Sequence, residues 1–130
     1  MSQPEKQQDD RLTDLLALVI GASGAAHMYA YSTSPKLREW LTSPEHHAWS
    51  AFRERAEELS RPYPVLRPML GRLYLAMEAL ASRGRDGCLP PETYGKVLFS
   101  DANPCHAPRC EVQTLADQLQ REILNLYAGG

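Results

Sequence analysis

Three cysteines and four histidines supply most of the reactive side chains in this 130-residue chain, and the cysteines all lie in its last third with one histidine among them. Cys105-His106-x-x-x-Cys110, with Cys88 upstream, has the residue types of a structural zinc site. Zinc takes four tetrahedral thiolate or imidazole ligands, usually from Cys-x2-Cys or His-x3-His turns. The spacing here is poor, because adjacent residues such as Cys105 and His106 rarely reach one ion and no Cys-x2-Cys turn is present. A Cys105–Cys110 disulfide and unreactive free thiols are the other readings of the same residues. Zinc bound by Cys88, Cys105, His106 and Cys110 is therefore one expectation, and no other cofactor is predicted.

Other chemistry has less behind it. His27, His46 and His47 could join Glu54 or Glu78 in a metal site, but the Glu-x-x-His pairs of di-metal bundles are absent. His27 reads better as a hydrogen-bonded core residue, and Glu45, His46 and His47 as the exposed first turn of a helix. Nucleophilic catalysis needs a nucleophile, a base and an orienting group together, and no spacing places such a set. The chain is read as non-enzymatic.

Eleven of the fourteen basic residues are arginine, and seven of them lie between Arg53 and Arg85. Arginine suits bidentate contact with phosphate or carboxylate. Arg72 and Arg83 share one flank and, together with Arg85 in the loop that follows, could touch nucleic-acid phosphates. A solvated helix rim paired to Glu54, Glu57, Glu58 and Glu78 explains the same residues.

Composition sets the frame for these side chains. The length suits one domain with a real core. A net charge of −2 exerts no general pull on nucleic acid or anionic lipid. An odd number of cysteines, without a basic n-region ahead of the apolar stretch, predicts a cytoplasmic location and free thiols.

The element expected to organise the rest is residues 15–31, LLALVIGASGAAHMYAY, the longest run without a charge. A helix that is apolar all round is a buried helix. At 100° per residue, Leu12, Leu16, Val19, Ile20, Ser23, His27 and Ala30 fall on one side. Ala17, Gly21, Gly24, Ala25 and Met28 fall on the other, with small residues that permit close approach of a second backbone. Both sides are expected to be covered. About 17 apolar residues is at the lower limit for spanning a bilayer. The competing reading is a strand and phosphate-binding turn, because Val19-Ile20-Gly21-Ala22-Ser23-Gly24 resembles the start of dinucleotide-binding folds. His27 occupies the third glycine position, however, and no later segment supplies parallel strands.

Further helices follow from apolar spacing. Ser34-Pro35 and Ser43-Pro44 are cap-and-first-turn signals, and the echo SPKLREW, SPEHHAW presents Trp40 and Trp49 at matching offsets. Trp49, Phe52, Ala56 and Leu59 make an inner stripe over 44–60. Arg61-Pro62-Tyr63-Pro64 predicts an extended link. Residues 65–82 carry the stripe Leu66, Met69, Leu70, Leu73, Met77, Leu80 and Ala81, backed by a second, small-residue face at Gly71, Leu75, Ala79 and Ser82. Arg83-Gly84 reads as a helix stop. The stretch 88–109 is irregular, and 111–127 is amphipathic through Val112, Leu115, Ala116, Leu119, Ile123 and Leu126, with Asp117 and Arg121 as an i, i+4 pair.

The sequence thus predicts an all-α fold: a single bundle of four to five main helices over residues 11–130, a flexible tail at 1–10, and a Pro/Cys-containing loop before the last helix. Its surplus of apolar faces predicts a protein-interaction subunit or regulator that binds another protein or itself through Gly21, Ala25, Gly71 and Leu75. A helical subunit of a nucleoprotein complex is the alternative, and no membrane association is expected.

Overall fold

A computed structural model describes residues 2–32, 34–43, 45–86, 99–100 and 102–129. The architecture is an all-α bundle, and no strand occurs among these residues. The helices are α1 (Ser2–Ala30), α2 (Pro35–Leu41), α3 (His47–Ser50), α4 (Phe52–Leu59), α5 (Arg67–Asp86) and α6 (His106–Gly129). A 3₁₀ turn, Pro64–Leu66, leads into α5. The last helix packs along both α1 and α5, while α3 and α4 cover part of α1.

Residues 19–25 lie inside α1, so the strand-and-turn reading is overturned. The buried seam of α1 is Leu12, Leu15, Val19, Ala22, Ala26 and Tyr29. Its alternating three- and four-residue steps keep one stripe turned to neighbouring helices. Ala17, Ile20, Gly24 and Met28, on the opposite side, are exposed. The expectation that both sides are covered therefore fails. The two other long helices pack on one side of α1, and Ala22, Ala25, Ala26 and Ala30 let them approach closely. The segment Asp10–Ala30 is long and apolar enough to cross a bilayer, but one of its faces is committed to this core.

The end of α1 is held by side chains from two distant places. The carbonyl of Tyr29 accepts from Nε of buried Arg38 at 3.1 Å, and that of Ala30 accepts from Nδ2 of buried Asn103 at 3.0 Å. Terminal helix carbonyls have no partner within their helix, and a cation suits the negative end of the dipole. Asn103 also accepts the Cys105 N–H through Oδ1 at 3.0 Å, so one amide joins the end of α1 to the start of α6. Asn103→Ala strands a buried carbonyl. It is expected to lower unfolding free energy by about 2 kcal/mol in urea denaturation, with the helical circular-dichroism signal retained.

Several local expectations are met and others corrected. Ser34 caps α2 by accepting the Leu37 N–H at 3.3 Å, whereas Pro44 lies outside the described residues. Trp49 is buried and Trp40 is about half exposed, so the matching offsets do not give matching roles. Helix 44–60 is broken at Ala51 into α3 and α4. The polar residues ahead of Asp10 continue α1. Gly84 does not stop α5, which runs on to Asp86. A Cβ at Gly84 would collide with the buried Tyr29 ring, whose hydroxyl donates to the Ala81 carbonyl at 2.8 Å. Glycine is needed there because an aromatic ring crosses the helix at contact distance.

The last helix begins at His106, five residues before the expected start. Pro108 sits in its first turn, where the N–H has no intrahelical acceptor in any case. That shift puts His106, Arg109 and Cys110 on a helix and gives their side chains fixed directions.

Candidate functional site: an open groove and a polar cluster

Helices α4 and α5 diverge enough to leave a cleft of about 530 Å³. Its apolar lining comes from Phe52, Ala56, Pro68, Leu70, Gly71 and Leu75. Two of these residues, Gly71 and Leu75, belong to the second face expected of α5. Leu75 is 66% exposed, and a Cβ at Gly71 would meet no atom within 4 Å. Ala79 and Ser82 continue the exposed face along the helix. The charged lining consists of Arg53, Arg67 and Arg72 against Glu57 alone, which makes the mouth positive. Arg67 pairs with Glu57 at 3.5 Å, bridging α5 to α4. The Arg53 guanidinium stacks over the Tyr74 ring, 5.4 Å from its centroid.

The other two residues expected to bind a partner are placed differently. Ala25 is buried in the core and Gly21 is half-buried, so this pair serves packing within the chain. Arg72 and Arg83 are both exposed on one side of α5, and the Arg85 side chain lies outside the described residues.

The cysteine and histidine residues separate. Cys105 is fully buried and Cys110 is exposed, and no disulfide joins the two. Cys88 lies outside the described residues. Among the described residues no three His, Cys, Asp or Glu groups converge on a point where a metal ion could sit. Cys105 turns into the core while His106 and Cys110 turn outward, so these three do not share one centre.

What the structure assembles instead is a cluster where the end of α1 meets the start of α6. The His106 Nδ1 lies 2.8 Å from the Tyr31 hydroxyl and its Nε2 lies 3.8 Å from the Cys110 sulfur. The Tyr31 ring also contacts Phe99, with centroids 4.4 Å apart, and Arg109 stacks over it at 5.6 Å. Arg109 donates to His27 Nδ1 at 3.0 Å and to Gln113 Oε1 at 2.7 Å, and Gln113 donates to Asp117 at 2.9 Å. His27 is thus exposed and bonded to an arginine, where a hydrogen-bonded core position was expected. Asp117 is engaged by Gln113, and the one ion pair among the described residues is Arg67–Glu57. Reading 88–109 as irregular and starting the last helix at 111 hid this cluster from sequence reasoning. Asn103, a residue type that favours turns before helices, was the available signal.

Burial first, and the Arg109 charge second, hold the His27 pKa below its ordinary value. Since guanidinium can only donate, Nδ1 accepts and His27 is neutral with its proton on Nε2. As pH falls, the unfolded histidine takes its proton first. The contribution of this contact is therefore complete above about pH 6.5 and declines below it. In Arg109→Gln, His27 is expected to titrate at a higher pH than in the wild type, read by NMR of the imidazole C–H signals.

Comparison with protein-family models, curated proteins and solved structures finds no match to this chain.

Proposed function

We propose that this protein is a non-enzymatic helical interaction subunit that seats an amphipathic helix of another protein, with acidic residues flanking its apolar stripe, in the α4–α5 groove. The observation that carries the reading is the coincidence of exposed Leu75, open Gly71 and a positively charged rim on one cleft. A helix-in-groove interaction needs an apolar trough that admits residues at i, i+3, i+4 and i+7. The Gly71 position leaves room for the incoming backbone or a large anchor side chain. Arginines at the rim favour carboxylates on the incoming helix and steer its approach.

A selection from a displayed library of helical peptides, run against the whole protein, tests this. Enriched peptides should pair an apolar stripe with Glu or Asp flanks. Arg53→Glu combined with Arg72→Glu should weaken their binding by about tenfold and shift the preference toward Lys-flanked versions. Peptides whose binding ignores these substitutions contradict the reading. So does salt-dependent binding of RNA or DNA to Arg72 and Arg83 with no peptide enriched, which would favour the nucleoprotein alternative. A concentration-dependent dimer that Leu75→Glu dissociates would assign the groove to a second copy of this chain, against the partner proposed.

A further inference from the structure

Thiol, imidazole and phenol stand in line at the junction of α1 and α6: Cys110 Sγ, 3.8 Å to His106 Nε2, then His106 Nδ1, 2.8 Å to the Tyr31 hydroxyl. We propose that Cys110 is a site of reversible oxidation by small hydroperoxides, with His106 as the group that takes and returns the proton.

The order of atoms is that of a nucleophile, its base and an orienting group. His106 and Cys110 are one helical turn apart, so their side chains lie on the same face of α6. Tyr31, from α1, holds the far edge of the imidazole. When Nδ1 carries the proton and donates it to the Tyr31 oxygen, Nε2 is left as an acceptor facing the sulfur. Tyr31 itself is wedged between Phe99 and Arg109, so it is a positioning residue.

Exposure narrows the substrate class. Cys110 is exposed on α6 and so is open to a small solute in water. A hydroperoxide needs only an ionised sulfur and a proton donor for its departing oxygen. The thiol proton passes to Nε2 while the sulfur attacks one peroxide oxygen and the O–O bond breaks. The leaving oxygen takes the proton back from Nε2 and departs as water or an alcohol. Sulfur is oxidised by two electrons to a sulfenic acid, and the peroxide is reduced by the same two. Cys105 is sealed in the core, so it cannot resolve this product as an internal disulfide. A small thiol instead displaces the hydroxyl as water, giving a mixed disulfide. A second small thiol releases Cys110 in its reduced form. The site shares no residue with the α4–α5 groove.

The test exposes the whole protein to hydrogen peroxide and traps sulfenic acid with a selective dione. Labelling of each cysteine is then followed by peptide mass spectrometry. At pH 7, Cys110 should be oxidised at least about tenfold faster than free N-acetylcysteine. In His106→Gln the rate at pH 7 should fall by about tenfold, because no base faces the sulfur. Cys105 should stay unlabelled in both chains, which certifies an intact core. Equal rates for Cys110 and N-acetylcysteine overturn the proposal without any variant. An unchanged rate in His106→Gln overturns it as well.

Discussion

Leu73→Ala is expected to lower the unfolding free energy by about 3–4 kcal/mol, whereas Leu75→Ala changes it by less than about 0.5 kcal/mol. The two leucines are two residues apart on α5, with the same chemistry and the same helix propensity. Leu73 is wholly enclosed, and its truncation forfeits both transfer free energy and the packing contacts around the resulting cavity. Leu75 is mostly in water, and alanine there gives up little. Urea denaturation of both variants, compared with the wild type, measures the difference. Equal losses would mean that the second face of α5 is covered in the folded chain.

Leu75→Glu should reduce the affinity for a selected acidic-flanked helix by about a hundredfold, the loss typical of a hot spot. A carboxylate in the groove meets both a desolvation cost and repulsion from the flanks of the incoming helix. Because position 75 is exposed in the free protein, the same substitution should leave the denaturation midpoint nearly unchanged. Isothermal titration calorimetry reads the first quantity and urea melting the second. A loss of binding that merely tracks a loss of folding would remove Leu75 from the interface.

The helices whose stripes were legible are those with polar residues to set the phase. In α6, Val112, Ala116, Leu119 and Ile123 are the fully buried residues, with Leu115 and Leu126 partly so, as the spacing implies. In α5 and the turn that leads into it, Leu66, Leu70, Leu73, Met77, Leu80 and Ala81 behave likewise. Along 15–31 there is no charged residue to mark the water side, so apolar content identified the helix without choosing its inner face. Each of the two sides read from the sequence is split: Leu12, Val19 and Ala30 of the first and Ala25 of the second are buried, while Ile20 and His27 of the first and Gly24 and Met28 of the second are exposed. The groove was half legible. Gly71 and Leu75 stood out as a surplus face, but their alignment with Phe52, Ala56 and Arg53 depends on how α4 docks on α5. Tyr31 meets His106 from 75 positions away, and no local pattern encodes such a meeting. Asn103 and Arg38 belong to the same class, since their value lies in carbonyls presented by α1.

The docking surface is tested most directly by backbone amide shifts in the labelled full chain, titrated with a selected acidic-flanked helical peptide. The largest changes should fall on Ala56, Gly71, Arg72 and Leu75, while Ile20, Gly24 and Cys110 stay in place. Changes centred instead on the exposed side of α1, or none at saturating peptide, would contradict the assignment of the α4–α5 groove.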